Sequence, residues 1–359
     1  MNRFTPAVAA VGAATMRGAC YTDPAIFARE RDRILARSWI ALARSEDLPS
    51  IGDFRTCEVA DESIILTRAA DGALRAFFNV CRHRGTRMCT EAAGRFAGSI
   101  QCPYHAWTYG LDGRLVAARN MDETPGFDRS AYPLHEARVA EWEGFVFANL
   151  AFEAPPLAQA LPGLDDRFAR WGLPAMRAAR EIVYDVAANW KLVFQNYSEC
   201  YHCPVVHPQL EELSPWDSGR NDASEGAVLG GYSILRDSVA LPNVIGDAER
   251  RAYYYTIFPS LMLSLHGDYA MTHHVEPLAA DRTRIVCRWF FTPDEMAKPD
   301  FDPTGIVAFW DLTNRQDWHV GELTQRGVSS RAYRPGPYAR HEGLLDAFDR
   351  HYRSVMGEA

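Results

Sequence analysis

The sequence contains no long hydrophobic run and no block of basic residues. Because no stretch of about 18 apolar residues occurs in the 359-residue chain, a membrane-spanning helix is excluded. The formal net charge is −8, from 38 Lys and Arg against 46 Asp and Glu, which argues against nucleic acid or an anionic membrane surface as a partner. Met1 to Ala14 make a poor secretory signal, because they lack bulky aliphatic residues. These absences together predict a cytoplasmic protein.

Cysteine is scarce as well, with eight residues in the whole chain, which excludes a small scaffold held together by disulfides. Most of these cysteines are therefore predicted to be buried, reduced thiols. Cys81 and Cys102 do not fit that description, because each one stands close to a histidine in a short motif.

The length of the chain predicts two domains rather than one compact core. Asp23-Pro24 has the cap and first-turn proline of a helix start, within an N-terminal helical segment over residues 1–39. Residues 40–152 alternate short strands with turn signals, which predicts an all-β domain. Residues 153–359 combine long strands with late helices, which predicts an α+β domain with an antiparallel sheet. The longest predicted elements there are a strand region over 253–265 and helices over 189–201, 304–325 and 341–355.

Two short motifs of the β domain each combine one cysteine with one histidine: Cys81-Arg82-His83 and Cys102-Pro103-Tyr104-His105. Two thiolates and two imidazoles are suitable ligands for a tetrahedral zinc. Zinc modules, however, usually pair Cys with Cys and His with His. A two-iron cluster instead can have thiolates on one iron and imidazoles on the other. The neutral imidazoles raise its reduction potential to about −150 to +300 mV, against about −400 mV for plant-type clusters with four cysteines. The motifs favour a [2Fe–2S] cluster, with zinc as the alternative.

A second metal site is indicated in the α+β domain by His202 and His207. On one helix these residues would lie about 140° apart, but Pro204 disrupts the helix between them and lets His207 turn back. Either Asp311 or Asp317 of the late acidic helix would complete a 2-His-1-carboxylate triad, the geometry of non-haem Fe(II) oxygenases. The spacing alone does not choose between the two aspartates.

The chain resembles the α subunit of the Rieske non-haem iron oxygenases, and the resemblance extends from Tyr21 to the final helix. It rests on four motifs: Cys81-Arg82-His83-Arg84-Gly85, Cys102-Pro103-Tyr104-His105-Ala106-Trp107, Asn189-Trp190-Lys191, and Glu199-Cys200-Tyr201-His202 with His207-Pro208. The resemblance implies an all-β Rieske [2Fe-2S] domain over residues 40–152, joined to a helix-grip (START-like) mononuclear iron domain over residues 153–359. It also implies a homotrimer.

The resemblance assigns roles to particular residues. The implied cluster ligands are Cys81, His83, Cys102 and His105, and the implied Fe(II) ligands are His202, His207 and Asp317. Asp317 is preferred because the family's carboxylate ligand lies five residues before a Glu, here Glu322, that precedes a Gln-x-Gly turn. Asp311 then becomes a surface or capping residue. In the family an acidic residue, here Glu199, bridges a cluster histidine of one subunit and an iron histidine of its neighbour.

The Glu-Cys-Tyr-His form of the motif resembles the branch that acts on quaternary ammonium compounds such as glycine betaine, choline and carnitine. The implied reaction inserts one oxygen atom of O2 into an N-methyl C–H bond, and the product collapses to formaldehyde and a demethylated amine. The electrons come from NAD(P)H through a separate flavin or iron–sulfur reductase or a ferredoxin, since the chain has no G-x-G-x-x-G motif after a strand. The alternatives are an arene-hydroxylating dioxygenase and, in another class, a non-catalytic Rieske electron carrier, which has no need of a second metal triad.

A cationic substrate requires aromatic faces, each worth about 0.5–2 kcal/mol by cation–π attraction. Strand alternation predicts that Tyr254 and Tyr255 face opposite ways. Four histidines, His266, His273, His274 and His319, are expected to be structural or on the surface. The candidate pocket aromatics are Tyr253, Tyr254, Tyr255, Phe258, Trp289, Phe291 and Trp310.

Overall fold

The computed structural model describes residues 7–164, 166–237 and 250–358. The chain divides into two compact units, one from Leu35 to Leu157 and the other formed by the residues up to Ile34 together with those from Ala158 onward. The predicted β domain covers residues 40–152, and the first unit covers residues 35–157. Most of the predicted N-terminal helical segment groups with the second unit.

The described residues of the first unit form two antiparallel sheets. A seven-stranded sheet has the order β1-β10-β9-β4-β3-β2-β5, and a three-stranded sheet has the order β6-β7-β8. The strands are β1 (Ile40–Arg44), β2 (Asp53–Val59), β3 (Glu62–Arg68), β4 (Leu74–Phe78), β5 (Ala93–Arg95), β6 (Ser99–Gln101), β7 (Thr108–Gly110), β8 (Leu115–Ala117), β9 (Glu136–Trp142) and β10 (Phe145–Asn149).

The turn between β3 and β4 shows how local sequence sets this register. Gly72 adopts a φ of +82°, which glycine tolerates without strain. The Asp71 carboxylate accepts a hydrogen bond from the Ala73 amide at 3.0 Å. The two paired strands then bury Ile65 and Phe77 in the same hydrophobic core that holds the Cys81 and Cys102 thiols.

The second unit is an antiparallel sheet with helices, as predicted. The described residues of this unit form seven strands in the order β11-β17-β16-β15-β14-β13-β12. They are β11 (Arg177–Val186), β12 (Arg220–Ala223), β13 (Val228–Ile234), β14 (Arg251–Ile257), β15 (Leu261–Leu265), β16 (Ala270–Ala279) and β17 (Arg282–Phe291). The helices, including a short one at the junction of the units, are α1 (Ala19–Thr22), α2 (Pro24–Glu30), α3 (Leu157–Ala160), α4 (Trp190–Tyr197), α5 (Cys203–Val206), α6 (Pro208–Leu213), α7 (Pro293–Met296), α8 (Thr304–Val328) and α9 (Gly343–Met356).

Two predicted elements of this unit have different bounds in the structure. The strand region predicted over 253–265 is two strands, β14 and β15, because Pro259 lies between them and has no N–H for the ladder. The helix predicted over 189–201 ends at Tyr197. Beyond it, the Ser198 hydroxyl donates to the Phe194 carbonyl at 2.6 Å, so the site motif starts in a turn.

The start of α4 is held by its cap and by α8. The Asn189 side chain accepts from the Lys191 amide at 3.0 Å, which satisfies a free N–H of the first turn. Gln325 on α8 accepts from the Asn189 amide at 2.9 Å and donates to the Tyr21 carbonyl at 3.1 Å. The helix that precedes the second metal motif, α4, and the helix that carries Asp317, α8, are thereby tied to each other and to α1. Across the described ranges, no helix has both the length and the apolar character needed to span a membrane.

Candidate cluster and iron sites

Cys81 lies in a loop that follows β4 and is organised by one buried amide. The Asn79 side chain donates to the Cys89 carbonyl at 2.6 Å and accepts from the amides of Met88 at 3.0 Å and Cys89 at 2.9 Å. Gly85, with a φ of +72°, lets its amide return to the Cys81 carbonyl at 3.0 Å. The loop therefore has a fixed shape around the first Cys-x-His pair.

Cys102 lies in the tight loop between β6 and β7. Its amide donates to the Trp107 carbonyl at 2.8 Å, and its carbonyl accepts from the Ala106 amide at 3.1 Å. The Trp107 ring stacks on His83 of the other loop with centroids 4.8 Å apart and planes within 8°. This stacking brings the two Cys/His pairs together.

The side chains of the two loops suit a cluster better than a single ion. The rings of His83 and His105 lie 4.7 Å apart, and His83 Nδ1 is buried without a hydrogen-bond partner among the described residues. Only the triad described below converges closely enough, within the described residues, to suit one ion. The open nitrogen and the wider spacing fit a [2Fe–2S] cluster and disfavour zinc.

The surroundings of Cys81 and His83 affect which protonation state each side chain can offer to a metal. Burial raises the pKa of the Cys81 thiol, so the thiolate needs an adjacent positive charge to form in this place. Burial lowers the pKa of His83, which keeps that ring in the neutral form that a ligand requires. The Tyr109 hydroxyl lies 3.4 Å from Cys81 Sγ and accepts from the Arg82 amide at 3.1 Å. Hydrogen bonds of this kind tune cluster potentials.

The second unit brings His202, His207 and Asp317 together, with ligand atoms that all lie within 4.8 Å of one another. Asp317 Oδ1 is 2.8 Å from His207 Nε2 and 3.3 Å from His202 Nε2. The histidines flank the short helix α5, whose second residue is Pro204, and Asp317 comes from the middle of α8. The predicted break at Pro204 is therefore wrong: α4 already ends at Tyr197, and Pro204 lies in the first turn of α5, which separates the two histidines.

Each histidine has its other ring nitrogen occupied, which orients Nε2 toward Asp317. Gln316 Oε1 lies 2.8 Å from His207 Nδ1, and Glu199 Oε1 contacts His202 Nδ1. Such partners fix the tautomer of a metal-binding histidine. Burial lowers the pKa of His202, but the carboxylates of Asp317 and Glu199 outweigh it and raise that pKa to about 10. This surplus of negative charge around two imidazoles fits a divalent iron.

Asp311 is not part of this triad. Its carboxylate accepts from the Tyr184 hydroxyl at 2.7 Å and from the Arg315 guanidinium at 3.0 Å. Of the two aspartates that the spacing left open, Asp317 is the one that lies beside both histidines.

The prediction of reduced thiols is wrong for one pair of cysteines. Cys200 and Cys203 form a disulfide, with their Cα atoms 5.0 Å apart. The turn between Glu199 and α5 brings the two residues within the usual Cα range for such a bond. Cys89, by contrast, is a free buried thiol whose pKa is raised by burial to about 11.

A cavity of about 360 Å³ adjoins the triad, and aromatic rings form much of its lining. Tyr197 lies between Tyr254, at 6.2 Å, and His273, at 5.9 Å, measured between ring centroids. The ring of His273 also lies 5.9 Å from that of Trp318, and the ring of Tyr254 lies 6.4 Å from that of Trp310, again between centroids. We call these five rings the aromatic wall.

Only two of the predicted pocket aromatics, Tyr254 and Trp310, line this cavity. Tyr255 points to the other face, as strand alternation predicts, and its hydroxyl donates to Asp222. His273, which the sequence predicts to be structural or on the surface, lines the cavity. Tyr197 and Trp318 are pocket residues that the sequence analysis missed, although Tyr197 precedes Glu199 by two residues and Trp318 follows Asp317. The other candidates, which do not line it, are Tyr253, Tyr255, Phe258, Trp289 and Phe291.

The chain matches two family models. The model described as ring hydroxylating alpha subunit (catalytic domain) matches residues 173–358, and the Rieske [2Fe-2S] domain matches residues 38–128. Together these models cover both candidate metal sites.

Similar proteins are monooxygenase oxygenase subunits. The glycine betaine monooxygenase oxygenase subunit of Chromohalobacter salexigens is 32% identical over 92% of this chain and 83% of the relative. The carnitine monooxygenase oxygenase subunit of Acinetobacter baumannii is 33% identical over 88% of this chain and 85% of the relative. A crystal structure of a quaternary ammonium Rieske monooxygenase, described in terms of carnitine oxidation and inter-subunit electron transfer, has a TM-score of 0.84 at 28% identity. That match covers 98% of this chain and 96% of the other.

The chain therefore belongs to the Rieske non-haem iron oxygenases, as a ring-hydroxylating-type α subunit. It is an oxygenase subunit with a [2Fe–2S] cluster domain and a mononuclear iron domain, and it depends on a reductase for electrons. The predicted fold class and enzyme class are confirmed. A non-catalytic electron carrier is excluded, because the catalytic domain of the family is present.

Proposed function

We propose that this protein oxidises an N-methyl group of a quaternary ammonium compound. The observation that carries the proposal is the aromatic wall beside the candidate iron triad. We further propose Cys81, His83, Cys102 and His105 as the cluster ligands and His202, His207 and Asp317 as the iron ligands.

The wall suits a cation because all five of its members carry aromatic rings. The Tyr197 hydroxyl is engaged with Ser264 Oγ at 2.8 Å, and burial raises the pKa of Tyr197 well above its usual range, so this phenol stays uncharged. A quaternary ammonium has no proton to donate, and aromatic faces are the groups that proteins use to recognise it. The names of the two relatives, which refer to glycine betaine and carnitine, support the same substrate class.

The residues of this chain position and shield the reaction. The chemistry that they host is redox: a cluster supplies single electrons, and a ferrous ion supplies the centre where dioxygen is reduced. Gln316 and Glu199 hold the two histidine rings so that Nε2 faces Asp317. The aromatic wall holds the ammonium group and directs one methyl group toward the triad while it excludes water. The hydroxymethyl product then loses its hydroxyl proton and breaks its C–N bond, which releases formaldehyde and a tertiary amine.

A substrate panel tests this proposal. The purified protein, with a reductase and NADH, is given glycine betaine, carnitine and choline, together with 3,3-dimethylbutanol as the uncharged carbon analogue of choline. We expect oxygen uptake and formaldehyde with at least one ammonium compound, and no turnover of the carbon analogue. Formation of cis-diols from arenes, with no response to any ammonium compound, would overturn the proposal in favour of a dioxygenase.

We also propose that the protein is a homotrimer in which Glu199 connects His202 to the cluster residue His105 of a neighbouring copy. Tyr104 is 57% exposed, and its ring is tilted against that of His105 with the ring centroids 3.8 Å apart. Beside the iron site, Tyr201 is 57% exposed and Val205 is 86% exposed. Large exposed apolar side chains next to a functional site are typical of contact surfaces. The solved relative, described as transferring electrons between subunits, supports this arrangement.

Mixed assemblies test the arrangement. One parent carries His83→Ala, which disables the cluster, and the other carries Asp317→Ala, which disables the iron site. If electrons pass between copies, random co-assembly restores up to about a quarter of the wild-type activity. A mixture that stays at the level of the inactive parents contradicts transfer between copies, and a solution mass other than three times 40.3 kDa contradicts the trimer.

We propose a cytoplasmic location and a flavin or iron–sulfur reductase, or a ferredoxin, as the electron donor. The absence of a dinucleotide-binding motif from the sequence supports a separate donor of this kind. Cell fractionation tests the location, and reconstitution with candidate reductases under NADH and NADPH tests the donor.

A further inference from the structure

A chain of polar side chains leads from α8 to the aromatic wall. The Tyr184 hydroxyl of β11 donates to Asp311 Oδ1 at 2.7 Å. Asn314 Nδ2 lies 3.3 Å from the same hydroxyl oxygen, and Asn314 Oδ1 lies 3.0 Å from His273 Nε2 on β16. We call these four residues the polar chain. It includes Asp311, the aspartate that is not part of the triad.

The chemistry of these groups sets the direction of every hydrogen bond. Tyr184 has one hydroxyl proton, and the shorter contact to the Asp311 carboxylate takes it. The hydroxyl oxygen can then only accept, so the amide nitrogen of Asn314 must face it. The amide oxygen of Asn314 therefore faces His273 and accepts a hydrogen bond, which places the imidazole proton on Nε2.

The other nitrogen of His273 has no comparable partner. Nδ1 is buried without a hydrogen-bond partner in the described parts of the chain. A second proton there would be an unpaired charged donor in the interior, which is costly. In agreement, burial lowers the pKa of His273 to about 4. The titratable groups around the ring are Tyr197 on α4, Cys287 opposite it on β17, and Asp317 on α8.

We propose that Asn314 is a positioning residue that holds His273 in the Nε2–H form, so that a neutral imidazole completes the aromatic wall. This inference rests on the proposed function, because a neutral His273 matters for binding only if the substrate is a cation. A protonated imidazole at this position would repel a quaternary ammonium group, whereas a neutral ring adds another aromatic face. Tyr184 and Asp311 act on the aromatic wall indirectly, because they set the orientation of the Asn314 amide that bonds His273.

Kinetics of Asn314→Leu test the role, with Arg315→Gln as the matched control. Arg315 also bonds Asp311, but its side chain is 62% exposed and lies outside the polar chain. We expect Asn314→Leu to raise KM for the ammonium substrate by about tenfold, with kcat within about threefold of wild type, and the control to change neither. Unchanged KM in a folded, iron-loaded variant overturns the proposal. A loss of iron from the variant also overturns the proposal, because it would show that Asn314 holds Asp317 in place rather than His273.

Nitrogen-15 NMR gives a readout that does not depend on turnover. The full-length, cluster-containing protein is labelled at histidine, with zinc in the mononuclear site, and His273→Phe identifies the signals of the ring. We expect a neutral Nε2–H imidazole at pH 7 in the wild type and a mixture of tautomers in Tyr184→Phe. An Nδ1–H or charged ring in the wild type overturns the proposal. If no ammonium compound yields formaldehyde while the Nε2–H form is observed, the proposed function fails and the positioning of His273 stands.

Discussion

At the scale of single residues, the candidate iron site depends on what each histidine binds with its second nitrogen. His202 faces the carboxylate of Glu199, whereas His207 faces the neutral amide of Gln316. A carboxylate partner makes an imidazole more basic than an amide partner does. The two iron-facing nitrogens are therefore unequal, and the more electron-rich one lies on the side that carries Glu199.

The first prediction concerns Glu199→Gln. The glutamine oxygen can still accept from His202 Nδ1, so we expect cluster and iron contents to stay at wild-type levels. Loss of the negative charge should lower turnover by roughly 10–100-fold. Metal analysis and stopped-flow oxidation of the reduced cluster measure the two effects, with Glu212→Gln on exposed α6 as the control. Turnover equal to that of the control would contradict the bridging role.

The second prediction concerns the pH dependence of stability through Asp349. This carboxyl is 1% exposed and accepts from Gln195 at 2.7 Å and from Tyr338 at 2.9 Å. Burial raises the pKa of Asp349 to about 6. Because the folded pKa exceeds the unfolded one, the associated stability is present below about pH 4 and lost as the pH rises through 6.

Asp349→Asn should remove this dependence. Between pH 4 and pH 7 the wild type should lose up to about 3 kcal/mol of its free energy of unfolding through this group. The variant should not show this loss, so its free energy of unfolding should rise by that amount relative to the wild type. Urea unfolding at several pH values measures the difference. Parallel pH profiles for the two proteins would show that Asp349 does not titrate in this range.

At the scale of elements, α4 is anchored by a buried ion pair. Glu30 on α2 accepts from Lys191 Nζ at 2.5 Å, from Trp190 Nε1 at 2.9 Å and from the Tyr352 hydroxyl on α9 at 2.6 Å. Both charged side chains are fully buried. One carboxylate thus joins three helices just before the turn that carries the iron motif.

The third prediction is that Lys191→Met destabilises the protein by about 3–5 kcal/mol, because it leaves the Glu30 charge buried and unpaired. The double variant Glu30→Gln/Lys191→Met should recover much of that loss, since no buried charge remains. Denaturant unfolding of the single and double variants measures both values. A double variant less stable than Lys191→Met would show that the pair contributes through its geometry rather than its charge.

Element boundaries were predictable where one residue decides them. Asp23-Pro24 predicts a helix start, and α2 begins at Pro24 with the Asp23 side chain as its cap. Pro204 does not break a helix as predicted, because α4 has already ended at Tyr197 and Pro204 lies in the first turn of α5. The end of α4 at Tyr197 depends on a turn that contains Glu199, whose carboxylate accepts from the Tyr201 amide, and no periodic pattern encodes it. The pocket aromatics could not be predicted for a similar reason. Which aromatic residue of a strand faces a cavity depends on packing across the sheet, and the local sequence does not encode that packing.

At the scale of the whole molecule, the two-site architecture was predictable because each metal motif is local in sequence. Cys81-x-His83 and His202-x4-His207 are recognisable as short patterns. The choice of Asp317 over Asp311 needed either the resemblance to a known family or the fold, because both acids lie on α8, six residues apart. His273 escaped prediction for a related reason: its partner Asn314 is 41 residues away.

The fourth prediction is that the two metal sites can be emptied separately. Cys81 and Cys102 belong to one compact unit, and the iron triad belongs to the other. A chelator that removes the mononuclear iron should abolish oxygen uptake and leave the visible absorption of the cluster unchanged. Added Fe(II) should restore activity in the wild type and not in Asp317→Ala. Bleaching of the cluster in step with iron loss would contradict independent sites.

The origin of the side chains around the cavity has a consequence for how such enzymes diversify. His202, His207 and Asp317 come from helices and the turns between them, as do three rings of the aromatic wall, whereas the other two, Tyr254 and His273, come from strands of the sheet. Substitutions that accumulate on the strand side alter which molecule is accepted without disturbing the groups that handle oxygen. Proteins with this architecture can therefore differ in substrate while they keep the same oxidative chemistry.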